Sequence, residues 1–474
     1  MTQRLEADIC VIGAGSAGLS VAAGASQLGA RTVLIESGKM GGDCLNYGCV
    51  PSKALLAAAH AAQSAREAGR FGLRLPEPAV DFAAVRNHVQ GVIGSIAPHD
   101  SQERFEGLGV TVIRAAASFS GPDEITAGDY TIRARRFVVA TGSTPFVPPL
   151  PGLEKLPYLT NETVFDLEEQ PRRLLVLGGG PIGCELAQAF RRLGSEVTIV
   201  EMAYLLPKDD PDAVAVVRNR LRAEGVRLIE GSKVIRAEAV SEGIKLALDG
   251  KGGSDSVTGS HLLIAAGRRP NVANLNLERA GIVAGPQGIT VDSGLRTSNR
   301  RVFAIGDVIG GLQFTHAAGY HAGIVIRRAM FRLPAKMNFG AIPWVTYTDP
   351  ELAQTGETEA SARQKGLDVA VTVSPFGGND RARAERATDG FVKIVSRKNG
   401  RILGATIVGV QAGELIQVWA LAIARGLKLS AMAGLVAPYP TRGEAGKRAA
   451  GEFYAPRLFS ARTRGLIKFL RMFG

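Results

Sequence analysis

Two runs of apolar residues, each followed by closely spaced glycines, dominate the pattern of this chain. In the first, residues 7–12 are almost wholly apolar and end at a glycine-rich turn over residues 13–18. Small and apolar residues continue over 19–28, and a further apolar run, 32–36, ends in a glutamate. Buried parallel strands give such continuous apolar runs. The pattern therefore predicts a strand, a tight turn, a helix and a second strand.

The same pattern recurs later in the chain. It predicts a strand over residues 173–177, a glycine-rich turn over 178–183, a helix through Arg192 and a strand over 196–201. Pro181 suits the first position of that helix, where its missing N–H is no loss. The recurrence indicates two copies of one functional unit and not a solenoid, which would repeat a short unit continuously.

The last third of the chain has a different pattern. From about Ala341 the segments 344–347 and 390–395 read as strands, and a long apolar helix is expected over 413–425. The stretch 333–340 serves as the linker that precedes them. These features predict a third domain of the α+β class.

Composition limits the classes of function. The chain has 474 residues, which allows roughly three domains, and 46% of them are hydrophobic. The net charge of +12 is spread along the chain, and no aromatic-interleaved basic block marks a nucleic-acid surface. We therefore expect no nucleic-acid partner, and attribute the charge to a general attraction for anionic cofactors.

Four cysteines, Cys10, Cys44, Cys49 and Cys184, are too few and too scattered for a secreted disulfide scaffold. The chain enters its first strand at Ala7 without a basic-then-apolar leader, and it has no apolar run of membrane-spanning length. These observations predict a cytoplasmic protein. Cys10 and Cys184 fall on packed elements and are expected to be inert core thiols.

The first glycine-rich turn carries a dinucleotide-binding fingerprint. Gly13 allows a tight turn, Gly15 lets the backbone approach a pyrophosphate, and Gly18 lets the helix pack on the strand. Glu36 lies 23 residues after Gly13, a spacing that suits an acid binding ribose hydroxyls.

The second turn repeats the fingerprint with Gly178, Gly180 and Gly183, and Glu201 ends its second strand. An acid there accepts hydrogen bonds from a free ribose 2′-hydroxyl and repels a 2′-phosphate. NADH is therefore favoured over NADPH. Two sites in one chain imply two dinucleotides, or else a fusion of two unrelated domains.

Four motifs together resemble the flavoprotein disulfide reductases, a family that includes lipoamide dehydrogenase, glutathione reductase and mercuric reductase. They are the segment GGDCLNYGCVPSK at residues 41–53, the doubled fingerprint, residues 304–307 and residues 347–351. The first is highly specific, and the resemblance covers residues 5–455. It argues against a fusion of unrelated domains.

The resemblance implies two Rossmann-like domains and a C-terminal α+β dimerisation domain. FAD would bind a domain made of residues 1–150 and 268–338, and NAD(P)H a domain at 151–267. Residues 339–455 would form the interface of a homodimer. A basic amphipathic tail, 456–474, follows.

The resemblance also implies roles for individual residues. Cys44 and Cys49 would form the redox-active disulfide, with Cys49 as the thiolate that faces the flavin and Cys44 as the interchange thiol. Because Cys49 lies just before a helix expected from about Pro51, the positive end of that helix would lower its pKa. Lys53 would stabilise the reduced flavin and pair with Glu185. The further cofactor-binding residues are Gly42, Lys53, Thr141, Gly142, Gly267, Gly306 and Asp307, and no metal site is expected.

Three positions depart from the family pattern, and one of them is Pro181, where many relatives place a tyrosine over the flavin. Where lipoamide and glutathione reductases carry a histidine base followed by a glutamate, this chain has Tyr439 and Glu444. Tyrosine, with a pKa near 10, cannot serve as a general base at neutral pH, although mercuric reductase also places a tyrosine near this site. Asp43 replaces a usual threonine, and its carboxylate would disfavour a thiolate at Cys44 or bond a flavin hydroxyl.

Three functions stay open at this point. The leading interpretation is an NAD(P)H-dependent flavoenzyme that reduces a disulfide or another acceptor. The second is a reductase of quinones or metal ions, which needs no base at Tyr439. The third is a redox-sensing interaction protein that turns over poorly. The tail adds peripheral membrane contact as a further hypothesis, because apolar Leu466, Phe469 and Phe473 alternate with basic residues.

Overall fold

The computed structural model describes residues 3–250 and 255–473, and within them two compact units form. One comprises Met1–Met202 and Leu228–Met337, and the other comprises Ala203–Arg227 and Asn338–Gly474. None of the described helices is long and apolar enough to cross a membrane.

The strands of the described residues are, in chain order, β1 (Gln3–Ile12), β2 (Thr32–Ile35), β3 (Val110–Ile113), β4 (Ala117–Gly121), β5 (Glu124–Ala127), β6 (Tyr130–Val139), β7 (Ser143–Pro145), β8 (Arg173–Leu177), β9 (Glu196–Glu201), β10 (Arg227–Glu230), β11 (Ser232–Val240), β12 (Gly243–Gly250), β13 (Ser256–Gly259), β14 (His261–Ile264), β15 (Arg268–Pro270), β16 (Ala284–Gly285), β17 (Gly288–Ile289), β18 (Val302–Ala304), β19 (Pro343–Thr346), β20 (Glu351–Gly356), β21 (Val369–Pro375), β22 (Phe391–Arg397) and β23 (Ile402–Gly409).

The α-helices are α1 (Ser16–Gln27), α2 (Gly42–Asn46), α3 (Cys49–Glu67), α4 (Phe82–Ile96), α5 (Gln102–Gly107), α6 (Pro181–Leu193), α7 (Pro211–Ala223), α8 (Thr315–Ala329), α9 (Glu359–Gln364), α10 (Asp380–Ala384), α11 (Ala412–Ala424), α12 (Leu429–Ala433), α13 (Glu444–Glu452), α14 (Ala455–Leu458) and α15 (Ala461–Leu470). Short 3-10 helices cover Ala68–Phe71, Ala97–Asp100, Leu153–Lys155, Val164–Asp166, Leu277–Ala280, Gly306–Ile309, Phe339–Ala341 and Phe376–Gly378.

The first unit is built on a sheet with the order β3-β2-β1-β6-β5-β4, to which β18 adds by pairing with β6. Strands β1, β2, β3, β6 and β18 pair in parallel, whereas β4, β5 and β6 are antiparallel neighbours. Successive residues of β1 belong to different core clusters, since Ile9 and Val11 pack with α1 and α8 while Cys10 and Ile12 pack on the other side. A strand buried on both faces explains the continuous apolar run.

A second sheet of the same unit has the order β10-β9-β8-β14, and β8 pairs in parallel with both β9 and β14. The predicted strand over 173–177 is β8 with the same bounds, and Pro181 is the first residue of α6 as expected. The doubled α/β architecture is therefore confirmed.

The second unit is built on an antiparallel sheet with the order β19-β20-β23-β22-β21. The predicted apolar helix is α11, and its buried Trp419 packs against Phe376, Ile394 and Ile407. The prediction of a third, α+β, domain is confirmed by this sheet and its helices.

Several element boundaries differ from the prediction by a few residues, and two of these differences have a clear physical reason. Helix α3 begins at Cys49 itself and not at Pro51, because the Ser52 N–H already donates to the Gly48 carbonyl. Strand β1 begins at Gln3, four residues before the apolar run. Its polar first residues pair with the equally polar start of β6, from Gln3 opposite Tyr130 onward.

A buried ion pair holds α7 within the second unit. The Lys393 ammonium on β22 lies 2.8 Å from both carboxylate oxygens of Asp210, and the two side chains are 5% and 2% exposed. Asp210 also caps α7 by accepting from the N–H of Asp212 and of Ala213. One carboxylate thus neutralises a buried cation and starts a helix.

Lys393→Met should cost about 3–5 kcal/mol of unfolding free energy, because it leaves the Asp210 carboxylate buried without its cation. Urea unfolding at one fixed protein concentration measures this. The matched control is Lys365→Met, which removes an exposed partner of Glu357 and should cost less than about 1 kcal/mol. Equal losses for both variants would contradict the assignment.

Candidate functional site

The first glycine-rich turn leaves room for a ligand at its middle glycine. A Cβ atom at Gly13, whose φ is +105°, would lie 2.4 Å from the Ala140 carbonyl oxygen, and one at Gly18 would lie 1.8 Å from the Gly13 oxygen. A Cβ at Gly15 would meet only the Gly42 Cα, at 3.9 Å. The outer glycines therefore close the turn, and Gly15 faces open space at the start of α1, where a pyrophosphate binds such turns.

The second turn has the same geometry. A Cβ at Gly178 would lie 2.4 Å from the Ala265 oxygen and one at Gly183 would lie 2.0 Å from the Gly178 oxygen, whereas Gly180 has nothing within 4 Å. It too opens onto a helix start, that of α6.

The acids that end β2 and β9 are placed alike. The Glu36 carboxylate accepts from the Ala14 N–H at 2.5 Å, and the Glu201 carboxylate accepts from the Gly179 N–H at 2.7 Å. Each acid therefore lies beside its own glycine turn, where a ribose joins the pyrophosphate. An open turn, a helix start and an acid fit a dinucleotide cofactor at each of the two sites.

The two cysteines of the redox segment lie on different helices. Cys44 is in the short helix α2 and is half-buried, whereas Cys49 starts α3 and is exposed. The Cys49 sulfur lies 3.4 Å from the Thr315 hydroxyl, at the start of α8. Gly42, whose φ is +60°, brings this segment against the first glycine turn, because a Cβ there would lie 2.7 Å from the Gly15 Cα.

The two thiols of the reduced pair differ in pKa. A hydrogen bond from Cys44 lowers the pKa of Cys49 to about 6, helped by Thr315 and by the charge of Lys53, while burial and Asp43 act in the opposite direction. The same hydrogen bond, together with burial, raises the pKa of Cys44. At neutral pH the reduced pair therefore holds a thiolate at Cys49 and a thiol at Cys44.

Lys53 and Glu185 connect the redox helix to the second dinucleotide fold. The Lys53 ammonium on α3 lies 2.8 Å from a Glu185 carboxylate oxygen on α6. The Glu185 side chain is 6% exposed and that of Lys53 is 37% exposed, so this is no ordinary surface pair. The expected contact is present, and it places a cation one helical turn after Cys49.

Arg268 contacts Asp43 of the redox segment and was not predicted from the sequence. Its guanidinium lies 3.0 Å from the Asp43 carboxylate and donates to the Ser143 hydroxyl and carbonyl, each at 2.8 Å. Asp43 also accepts from the Asn161 amide at 3.1 Å. The extra carboxylate beside Cys44 is therefore neutralised within the fold, although it still raises the pKa of Cys49.

Arg268 also reaches towards Asp307. The Asp307 carboxylate accepts from the Ser143 hydroxyl at 2.7 Å and lies 3.9 Å from the Arg268 guanidinium. Burial raises the Asp307 pKa, whereas Ser143 and Arg268 lower it. The only signal for Arg268 in the sequence was its place after Gly267, and none pointed to Ser143.

The remaining predicted cofactor-binding residues of this region are Thr141, Gly142, Gly267 and Gly306. The Thr141 hydroxyl donates to the Asn271 carbonyl at 2.7 Å. Gly142 and Gly267 both have positive φ and face open space. Gly306, with φ of +72°, starts the short helix that carries Asp307.

Tyr439 and Glu444 lie in the second unit. Tyr439 is 72% exposed, and its hydroxyl donates to an Asp380 carboxylate oxygen at 3.2 Å. That hydrogen bond raises the pKa of Tyr439 above its ordinary value near 10. Glu444 starts α13 and accepts from the Thr441 N–H at 3.3 Å. A tyrosine so placed is a hydrogen-bond donor and not a base at neutral pH.

Cys10 and Cys184 are buried. Burial raises the pKa of the Cys10 thiol, and the Cys184 thiol donates to the Gly179 carbonyl at 3.4 Å. Both therefore occupy buried positions, as expected for core thiols.

Comparison with known proteins finds matches along nearly the whole chain. Residues 7–322 match the family described as Pyridine nucleotide-disulphide oxidoreductase, and residues 342–450 match its dimerisation domain. A mercuric reductase of Streptomyces lividans is 36% identical over 454 residues, which cover 94% of this chain and 96% of that protein. A dihydrolipoyl dehydrogenase of Geobacillus stearothermophilus is 34% identical over 454 residues, with the same coverage of both chains.

A solved structure is also similar. The Cu(II) complex of the HOCl-induced flavoprotein disulfide reductase RclA from Escherichia coli has a TM-score of 0.85 and 28% sequence identity. It covers 94% of this chain and 99% of its own.

The thiolate at Cys49 should titrate with a midpoint near pH 6 in the reduced holoenzyme. Because its pKa is lowered, the thiolate is present above that midpoint and is lost as the pH falls through it. The thiolate-to-flavin charge-transfer absorbance, followed anaerobically against pH, measures this. Cys49→Ser should remove the band, and Cys44→Ser should retain it.

Lys53→Met should raise the midpoint, since the charge of Lys53 lowers the Cys49 pKa. Lys39→Met is the matched control, because Lys39 lies over the Tyr47 ring and should leave the midpoint unchanged. A midpoint near 9, or a band that depends on Cys44 alone, would refute the assignment.

Proposed function

The chain belongs to the pyridine nucleotide-disulphide oxidoreductase family, and we propose that it carries electrons from NADH through FAD and the Cys44–Cys49 pair to an acceptor. The protein is an NAD(P)H-dependent flavoprotein oxidoreductase with a redox-active disulfide. A match to a dimerisation domain supports a homodimer.

The placement of the thiol pair is the observation that carries this proposal, since Cys49 starts α3, its sulfur lies 3.4 Å from the Thr315 hydroxyl, and Lys53 follows one turn later on the same helix. When bound, FAD would supply the two-electron chemistry that links the reduced nicotinamide to the disulfide. A hydride equivalent added to a disulfide breaks the S–S bond and leaves one thiolate and one thiol. This is the state that the hydrogen bond between Cys44 and Cys49 favours.

The roles of the surrounding residues follow from their contacts. Cys49 holds the negative charge at the start of α3, and Cys44 keeps the proton until it meets the acceptor. Lys53, held by Glu185, places a positive charge beside the thiolate, where negative charge also develops on a reduced flavin.

We assign FAD to residues 1–150 with 268–338 and the nicotinamide cofactor to 151–267, leaving 339–455 for the dimer interface. The two glycine turns support the first two assignments, since each faces open space at a helix start. Glu201 beside the second turn supports NADH over NADPH, because its carboxylate would repel a 2′-phosphate.

Tyr439 narrows the class of acceptor. Its raised pKa means that it takes up no proton from a substrate thiol at neutral pH. Oxidation of a dithiol such as dihydrolipoamide requires such a base. The tyrosine therefore favours acceptors that need no base at this position, among them metal ions and quinones. Small disulfides are still to be tested as acceptors.

Steady-state turnover with lipoamide, glutathione disulfide, Hg(II) and a quinone, each with NADH and with NADPH, tests the proposal. We expect NADH to give the higher kcat/KM, and turnover of the chosen acceptor to require both Cys44 and Cys49. Equal rates for Cys44→Ser and the wild-type enzyme with every acceptor would refute transfer through the pair.

Tyr439→His should raise kcat for dihydrolipoamide oxidation by about tenfold or more, because positioned acid–base catalysis contributes at least that much. It should leave the rate with metal ions unchanged. Tyr347→His, at another exposed tyrosine, is the control. No gain for dihydrolipoamide would show that the missing base is not what limits that reaction.

We further propose that the tail, residues 456–474, binds an anionic membrane surface. The apolar side chains of Leu466 and Phe469 in α15 and of Phe473 just after it are all more than half exposed, and the two phenylalanine ring centroids lie 5.1 Å apart. At about 100° per residue Leu466 and Phe469 share one side of the helix, while Lys468 lies on another. A ten-residue helix is marginal alone in water, so it needs a surface to stabilise it.

Sedimentation with vesicles rich in phosphatidylglycerol tests this binding. The wild-type protein should pellet with them and not with phosphatidylcholine vesicles, and high salt should release it. Phe469→Ser with Phe473→Ser should abolish pelleting, whereas Val436→Ser, at an equally exposed site elsewhere, should not. Equal pelleting by all variants, or a change only in oligomeric state, would refute the proposal.

A further inference from the structure

A cavity of about 380 Å³ lies on the side of the first sheet away from the glycine turns. Its wall is formed by β1, by the residues after α1, by β6 and by the end of α8. The turn that begins at Gly13 follows the carboxyl end of β1, whereas Asp8 and Arg136 lie within their strands, before the parallel run ends. The cavity is therefore separate from the dinucleotide site on the same sheet.

Three arginines line this cavity. Arg135 and Arg136 come from β6, and Arg332 follows α8. Asp8 is the single acid of the wall, and it already pairs with Arg31 at 3.4 Å and with Arg135 at 3.8 Å. Among the described residues, no carboxylate lies within ion-pair distance of Arg136 or Arg332.

Positive charge extends beyond the wall. Arg301 precedes β18, and its carbonyl accepts from the Phe137 N–H, directly after Arg136 on the neighbouring strand. Burial lowers the pKa of Arg136, and Arg296, Arg301, Arg135 and Arg332 lower it further. Four arginines therefore repel the charge of Arg136.

The backbone compensates only part of this charge. Helices α1 and α8 both end at the cavity, at Leu28 and Met330, and a helix carboxyl end carries about half a negative charge. The guanidinium of Arg136 donates to the Arg135 carbonyl at 2.8 Å. These partial charges amount to about one unit, which is less than the uncompensated charge of the arginines.

We propose that this cavity binds a small anion carrying two or more phosphate groups. Guanidinium groups bind phosphate oxygens through paired N–H donors, and several of them converge here. The volume is within the range of small-molecule sites, about 300–1,000 Å³. The exposed Phe331 and Leu28 at the same wall offer an apolar surface on which an attached ring could pack.

Isothermal titration of the FAD-saturated protein with inorganic pyrophosphate tests the site. The double variant Arg136→Gln, Arg332→Gln should weaken binding by about tenfold or more. Arg279→Gln, at an exposed arginine outside the cavity, should leave the Kd within about twofold. No binding by the wild-type protein, or equal weakening in the control, would overturn the proposal.

Thermal unfolding supplies a readout that does not depend on activity. Because the double variant removes repelling charges, its Tm without anion should equal or exceed that of the wild type. Pyrophosphate should then raise the Tm of the wild type and not of the variant. A variant that unfolds at lower temperature without anion would show that the arginines are structural, and would also overturn the proposal.

A second titration with ADP, with NAD⁺ saturating, distinguishes two sources of the phosphates. Binding tighter than that of pyrophosphate and weakened by Phe331→Ala would identify a nucleotide. An ADP affinity equal to that of pyrophosphate would show that the site recognises the phosphate chain alone. Either result supports the site, whereas ADP binding that is insensitive to Arg136→Gln would count against it.

Discussion

The ion pair between Lys53 and Glu185 is the interaction on which the chemistry of the first unit depends. It joins the helix that starts at Cys49 to the helix that follows the second glycine turn. Since Glu185 is almost fully buried, loss of Lys53 would remove a cation from a buried carboxylate between two packed helices. The ion pair therefore affects both the charge near the Cys49 sulfur and the packing of the two dinucleotide-binding folds.

Local features of the chain were predictable where one short segment decides them. Strand β8 has its predicted bounds, and Pro181 starts α6, because apolar runs and a missing N–H act within a few residues. The start of β1 was not predictable, since residues 3–6 are mostly polar and become a strand only by pairing with β6. Tertiary pairing overrode the local pattern there.

The candidate site likewise combines residues that the sequence predicts with residues that it does not. The cysteines, glycines and acids of the site belong to motifs with fixed spacing, so they could be selected from the sequence alone. The bond between Arg268 and Asp43 joins residues far apart in the chain and belongs to no motif. An arginine beside a common turn gives no sign of the distant carboxylate it will meet, so only the folded chain shows that Asp43 is neutralised.

Cys49 lies where two helices begin, its own α3 and, through the Thr315 hydroxyl, α8. Part of the field at the sulfur therefore comes from peptide dipoles, which every sequence that keeps these helices also keeps. Substitution of side chains cannot remove that contribution. The remainder comes from side chains, Cys44, Thr315 and Lys53, so the acidity of this sulfur combines a part fixed by the backbone with a part that substitution can change.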